Sequence, residues 1–189
     1  MKSHFKSNKT QLLLIQRKNM KLQSKILKKK CNQIKLIITD VDGVLTDGGM
    51  YYSKNGEILK KFNTRDGMGV ELLRNNKIPV IIITREKSKI VLSRAKKLLI
   101  NDVFIGIKKK ELLLPKICKK YKIKETNIAY IGDDVNDLHI MQQVGLSISP
   151  KDGVTIIKKK SNYVCKAKGG EGVLREVSDM IISLKNKQS

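Results

Sequence analysis

Tryptophan is absent from this chain and aromatic residues make up only 4% of it, so there is little surface on which bases could stack. That scarcity weighs against nucleic-acid recognition, even though the formal charge is +23. Lysine outnumbers arginine by 34 to 6 and is scattered over every predicted helix, so a general lysine bias accounts for the charge without a dedicated polyanion site. The field would still draw in an anionic substrate. Only three cysteines occur, Cys31, Cys118 and Cys165, with no paired metal-ligand spacing. A reduced, cytoplasmic setting with buried free thiols is expected, and a disulfide scaffold or zinc site is not. No apolar run approaches the roughly 20 residues needed to span a bilayer. The stretch from Leu12 to Ile15 is also shorter than the about 7 apolar residues of a signal-peptide core.

Acidic residues are missing from positions 1–33, while both signs mix in the remainder. With 189 residues, 40% of them apolar, the chain fits one full-sized core plus an extension. The expected organisation is a basic N-terminal extension over 1–33 and a single folded domain over 34–189. Leu22, Ile26 and Leu27 could form one stripe of a short helix. Residues 1–19 show no such pattern and are expected to be disordered. A targeting segment, or an upstream start ahead of a true one at Met20, are the other readings of that stretch.

Beyond residue 33, short apolar runs alternate with helical segments. Ile34 to Thr39, Pro79 to Thr84 and Asn127 to Gly132 read as strands buried on both faces. Helices are expected over Asp66 to Asn76, Lys87 to Leu99, roughly Lys108 to Tyr121 and Asp134 to Val144, with a kink or late start at Pro115. This alternation predicts an α/β fold with a doubly wound, mostly parallel sheet. Met50 to Phe62 departs from it: Asn55-Gly56 lies between two β-prone runs and predicts a small β-hairpin insertion. The hairpin follows the first carboxylate cluster and should overhang it.

Ligands of open α/β sheets bind beyond the carboxyl ends of the strands. The groups expected there are Asp40 and Asp42, Thr84, and Asp133 with Asp134. A carboxylate repels a phosphate dianion, but with Mg²⁺ between them it can attack phosphorus and form an acyl phosphate. If the chain stays extended, Asp42 points the same way as Asp40 and can reach the leaving oxygen. Asp133 would complete an all-oxygen Mg²⁺ shell, and Thr84 with a lysine could bind the phosphoryl oxygens. Any one Asp-Gly pair is an ordinary turn former. The ordered set is what points to chemistry.

That set resembles the four successive motifs of the haloacid dehalogenase superfamily: Asp40-Val-Asp-Gly-Val-Leu-Thr-Asp47, the strand ending in Thr84, Lys110, and Gly132-Asp-Asp-Val-Asn-Asp137. The resemblance implies that Asp40 is the nucleophile and Asp42 the acid/base. It implies Thr84 and Lys110 as phosphate binders and Mg²⁺ held by Asp40, Asp42 through its carbonyl, and Asp133. Lys108 and Lys109 adjoin Lys110, so a one-residue shift would exchange them. Asp137 is expected to orient a ligand or water, and Asp134 to bind the metal directly or through water. His139 is read as an ordinary helix residue.

Gly48-Gly-Met-Tyr-Tyr, Lys61-Phe-Asn-Thr-Arg-Asp-Gly-Met-Gly69 and Lys168-Gly-Gly-Glu-Gly-Val-Leu-Arg-Glu176 resemble the capless branch that dephosphorylates 2-keto-3-deoxy sugar acids. Its members act on 3-deoxy-D-manno-octulosonate (KDO) 8-phosphate or on sialic-acid-type nonulosonate 9-phosphates. The resemblance implies a phosphatase domain over 34–189 with no large cap. It also implies a homotetramer in which hairpins and a flexible segment from Gly169 to Gly172 close the site. Substrate contacts are then expected from Arg65, Glu86 and Gly170. Glu86, Lys97 and Glu171 lean towards the nine-carbon substrates, and Arg65-Asp-Gly towards the eight-carbon ones. Many relatives carry glycine after the motif threonine, where this chain has Arg85, which would restrict the backbone there. A second reading is a non-catalytic assembly partner of a sugar-acid cytidylyltransferase.

Overall fold

Every residue of the first strand, Leu36–Thr39 (β1), is buried, because it lies in the middle of a sheet covered on both faces. The computed structural model describes residues 22–186, so the expectations for residues 1–19 fall outside the described residues. Six parallel strands run in the order β5-β4-β1-β6-β7-β8, with β4 at Val80–Ile83, β5 at Val103–Phe104, β6 at Ile128–Ile131, β7 at Leu146–Ser149 and β8 at Tyr163–Val164. The order reverses direction between β1 and β6, which opens a crevice at their carboxyl ends.

Side chains alternate across this sheet. Ile37, Ile82, Ala129 and Ile148 join one core, and Ile38, Ile81, Ile83 and Tyr130 join the other. The first core is closed by the helix over 22–33 (α1), Thr64–Asn75 (α2), Lys89–Lys97 (α3) and Val173–Asn186 (α7), through residues such as Cys31, Leu73, Val91 and Val177. The second is closed by Leu114–Tyr121 (α4), Leu138–Met141 (α5) and Thr155–Lys160 (α6), through Ile117, Ile140 and Ile157. Helix α1 packs on this body: Cys31 is buried in the first core, and Lys30 Nζ donates to Gly145 O. The change in charge near residue 33 therefore does not coincide with the start of packing. Cys31 and Cys165 are buried free thiols, while Cys118 is only half-buried.

Local chemistry sets the element ends. Asn63 caps α2 by accepting from Arg65 N, and Ser88 caps α3 by accepting from Val91 N. The helix expected from Lys108 is a 3₁₀ turn over Lys110–Leu113 followed by α4, which has Pro115 in its first turn, where the missing N–H costs no helical bond. The helix expected over Asp134 to Val144 is also shorter: a 3₁₀ turn over Val135–Asp137 precedes the four residues of α5. The Asp137 carboxylate, accepting from Asp133 N and Asp134 N, holds that turn in place of regular helix.

Tyr51–Ser53 (β2) and Gly56–Leu59 (β3) form the expected hairpin as a separate two-stranded sheet. Its turn is one residue earlier than the sequence pattern indicates. Ser53 pairs with Gly56, so Lys54 and Asn55 are the central residues, and Gly56 supplies the positive φ of 106° beside them. Only this hairpin occupies the interval between Gly49 and Lys60, and there is no large cap. No helix among the described residues is long and apolar enough to cross a membrane.

Candidate active site

Asp40 follows β1 directly. Its N–H donates to Ile131 O at 3.0 Å, which ties it to the end of β6, and its Oδ1 accepts from Val41 N at 2.7 Å. The chain then turns, with the N–H groups of Val44, Leu45 and Thr46 all directed to Val41 O. Asp42 therefore lies in a turn and not in extended chain, contrary to the expected alternation. Both carboxylates nevertheless line the same cleft of about 430 Å³. Gly43 has φ of +79°, and a Cβ there would meet Asp133 Oδ2 at 2.0 Å. Only glycine lets the Asp133 carboxylate come this close to the Asp40 loop.

Thr84, at the end of β4, is buried at the cleft wall, and its Oγ1 accepts from Glu86 N at 3.2 Å. Glu86 and Arg85 line the cleft too. Arg85 is not in the left-handed region, so the loop holds, without backbone strain, a side chain where many relatives carry glycine. Lys110 is fully buried while Lys108 and Lys109 are exposed, which fixes which of the three faces the site. Its Nζ lies 2.7 Å from Asp40 Oδ2 and 2.6 Å from Asp137 Oδ1. It sits behind Asp40 and does not line the cleft.

The electrostatics are those of a crowded acidic site. Burial, and next the charge of Asp137, push the Asp40 carboxyl up to about 7, with Lys110 opposing. Asp133 is pushed up to about 8, by burial first and then by Asp40, Asp137 and Asp134. Burial alone would weaken the charge on Lys110, but Asp40 and Asp137 outweigh it and hold the ammonium protonated. Oxygens of Asp40, Asp133 and Asp137 lie within 4.8 Å of one another. Asp137 is already committed, since Oδ1 takes Lys110 Nζ and Tyr130 OH, and Oδ2 takes Asp133 N and Asp134 N. The Asp133 carboxylate accepts no hydrogen bond among the described residues, which leaves it open to a cation. A buried and a half-buried carboxylate that repel each other, with oxygen donors only, fit a hard divalent ion such as Mg²⁺.

Other sequence-indicated residues lie elsewhere. Arg65 is exposed in the first turn of α2, and its side chain passes close to Gly172. Gly170 packs on the back of the Asp40 loop: its N–H donates to Val44 O at 3.0 Å and its carbonyl accepts from Asn63 Nδ2 at 2.9 Å. A Cβ on Gly169 would meet Gly43 O at 2.3 Å. The segment expected to be a flexible flap bonds here to the Asp40 loop and to Asn63 of the same chain, and neither Arg65 nor Gly170 lines the cleft of that chain. His139 is exposed and outside it.

Sequence reasoning missed a buried cation beside Asp42. Lys60, just after β3, has a fully buried side chain whose Nζ lies 2.6 Å from Asp42 Oδ1 and 2.7 Å from Glu57 Oε1. Ser88 Oγ donates to the other Glu57 oxygen. One lysine among 34 carries no distinguishing sequence signal.

Residues 82–177 match the haloacid dehalogenase-like hydrolase family. The chain belongs to that family. Among these hydrolases it is 39% identical over 158 residues to the 3-deoxy-D-manno-octulosonate 8-phosphate phosphatase of Escherichia coli K12, covering 84% of each chain. The crystal structure of the Moraxella catarrhalis phosphatase of the same name, in complex with magnesium, phosphate and KDO, superposes with a TM-score of 0.82 at 36% identity. That match covers 85% of this chain and 92% of the other. The cobalt-bound deoxy-D-mannose-octulosonate 8-phosphate phosphatase of Haemophilus influenzae gives 0.81 at 38% identity, covering 84% and 92%.

Proposed function

We propose that this hydrolase is a Mg²⁺-dependent phosphomonoesterase that releases phosphate from the eight-carbon sugar acid KDO 8-phosphate. The observation that carries the reading is the convergence of Asp40, Asp42, Thr84 and Asp133 on one cleft, with Lys110 against Asp40. The relatives named above, all acting on the octulosonate phosphate, favour eight carbons over nine.

In the proposed reaction an Asp40 carboxylate oxygen bonds to phosphorus as the bond from phosphorus to the sugar oxygen breaks. Asp42 gives its proton to that departing oxygen. Asp42, now a carboxylate, takes a proton from water, and the water oxygen attacks phosphorus to free Asp40 and inorganic phosphate. Thr84 Oγ donates to a phosphoryl oxygen, and the Lys110 ammonium holds Asp40 ionised and oriented. Mg²⁺, held by Asp40, Asp133 and the Asp42 carbonyl, would offset the charge between nucleophile and phosphate.

The domain proposed for this activity spans 34–189, with the helix over 22–33 packed on it as part of the same body, in the cytoplasm. A homotetramer is supported by Tyr51, Tyr52, Ile58 and Leu59, which leave 45–58% of their surface exposed on the hairpin. Arg65, exposed and outside the cleft of its own chain, is proposed to contact substrate in a neighbour's. Purified protein with Mg²⁺ should release phosphate from KDO 8-phosphate in preference to a nonulosonate 9-phosphate, and Asp40→Asn should abolish the release. Full activity in that variant would overturn the mechanism, and preference for the nine-carbon ester would overturn the substrate.

A further inference from the structure

The cleft is lined by five carboxylates, Asp40, Asp42, Glu86, Asp133 and Asp134, and by a single cationic side chain among the described residues, Arg85. The two buried lysines nearby are already committed, Lys110 to Asp40 and Asp137, and Lys60 to Asp42 and Glu57. The Arg85 side chain is exposed and makes no ion pair or hydrogen bond among the described residues, not even with its neighbour Glu86. An unpaired guanidinium at the wall of an acidic cleft offers donors in a fixed fork that matches an oxyanion, which a lysine does not.

Its place in the chain says which oxyanion. Arg85 follows Thr84 directly, so their Cα atoms are about 3.8 Å apart. The turn is fixed, because Glu86 N donates to Thr84 Oγ1 and Gly106 N to Glu86 O, at 3.2 Å each. The phosphoryl group lies, on the reading proposed above, between Asp40 and Thr84. We infer that Arg85 is a substrate-binding residue for the phosphoryl group, supplying the cationic contact that Lys110, spent on Asp40 and Asp137, does not offer. The carboxylate of a sugar acid has the same chemistry, and the test separates the two.

The inference rests on the phosphatase reading but has a readout independent of turnover. Binding of inorganic phosphate in the presence of Mg²⁺, followed by titration calorimetry on the full chain, should weaken by about tenfold or more in Arg85→Gln. Arg85→Lys should recover part of the loss, as a point charge without the fork. The weakening should persist at about 0.5 M salt, where the general field of a chain of charge +23 is screened. Unchanged phosphate binding in Arg85→Gln would overturn the inference, as would a loss that vanishes in salt. So would a defect seen only with substrates that carry a carboxylate. Absence of turnover in the unaltered protein, with phosphate binding still dependent on Arg85, would overturn the phosphatase reading and leave the inference standing.

Discussion

Replacing Lys110 with methionine keeps the length of the side chain and deletes the one positive charge between Asp40 and Asp137. Both carboxylates are buried, and the ammonium lies 2.7 and 2.6 Å from them. Removing one partner from a buried ion pair costs about 3–5 kcal/mol, because the remaining charge is left uncompensated. The cost has a ceiling, since a carboxyl that cannot stay ionised takes up a proton. Burial and Asp137 already raise Asp40 to about 7, so near pH 7 it takes up that proton at little cost and the stability loss falls below this range. Asp137 keeps its bonds from Tyr130 OH and Asp133 N, so the loss falls mainly on Asp40. For a chain of this size the melting temperature should fall by less than about 6 °C at pH 7, and by more at higher pH, where the proton is harder to take up. A protonated or displaced Asp40 is no nucleophile, so kcat for phosphate release should fall at least about 100-fold. Calorimetric melting and steady-state phosphate release test both. A Lys110→Met protein that melts within about 2 °C of the parent and keeps its kcat would refute the role given to this lysine.

Three further outcomes follow from the same structure. Mg²⁺ at about 100 times its dissociation constant should stabilise the fold by about 2.7 kcal/mol relative to chelator, by relieving the Asp40–Asp133 repulsion. Identical melting curves in the two conditions would exclude the carboxylate cluster as a cation site. Asp66, raised from 3.8 to about 6 by burial against the opposing N–H bonds from Arg175 and Leu174, binds a proton more tightly folded than unfolded. Its ionisation therefore opposes folding: stability falls as pH rises from about 4 to about 6, by roughly 3 kcal/mol. Asp66→Asn should accordingly melt higher than the parent at pH 7.5 and equal to it near pH 4, and a constant gap would contradict the assignment. Lys60→Met should slow hydrolysis of a sugar phosphate about 10- to 100-fold and that of p-nitrophenyl phosphate less, because its leaving group needs no proton and only the water step then calls on Asp42. Equal losses on both substrates would show that Lys60 does not act on proton delivery to the leaving group, and Lys60→Arg should restore part of the lost rate.

The sheet was legible where a strand is buried on both faces. Val80–Ile83 and Ile128–Ile131 are unbroken apolar runs, and both lie near the centre of the sheet. Strand β7, Leu-Ser-Ile-Ser, is equally buried but was not expected, because its serines read as polar. Ser147 and Ser149 are accommodated by bonding to the backbone at Lys160 O and Pro150 O, which no local pattern reveals. Strands β5 and β8 have two residues each and exist through their pairing to neighbours. In the site, the polar groups that end long buried strands were visible: Asp40, Thr84 and Asp133. Groups that arrive by tertiary packing were not, among them Lys60 from the hairpin and the Tyr130 hydroxyl beneath Asp137.

That division has a mechanistic side. Asp40 and Asp42 are two residues apart, yet each carries its own buried ammonium, and the two ammoniums come from different parts of the fold. Lys110 is delivered by the turn after β5 and is fixed by Asp137 and the central sheet. Lys60 is delivered by the hairpin and is fixed by Glu57, itself tied to Ser88 at the start of α3. Asp40, the proposed nucleophile, is therefore held at the buried central sheet. Asp42, the proposed proton donor, is held by an element whose other side chains, Tyr51, Tyr52, Ile58 and Leu59, lie exposed. A surface covering those side chains would bear on the Lys60–Asp42 contact, and so on the proposed proton transfer, before it bore on attack at phosphorus.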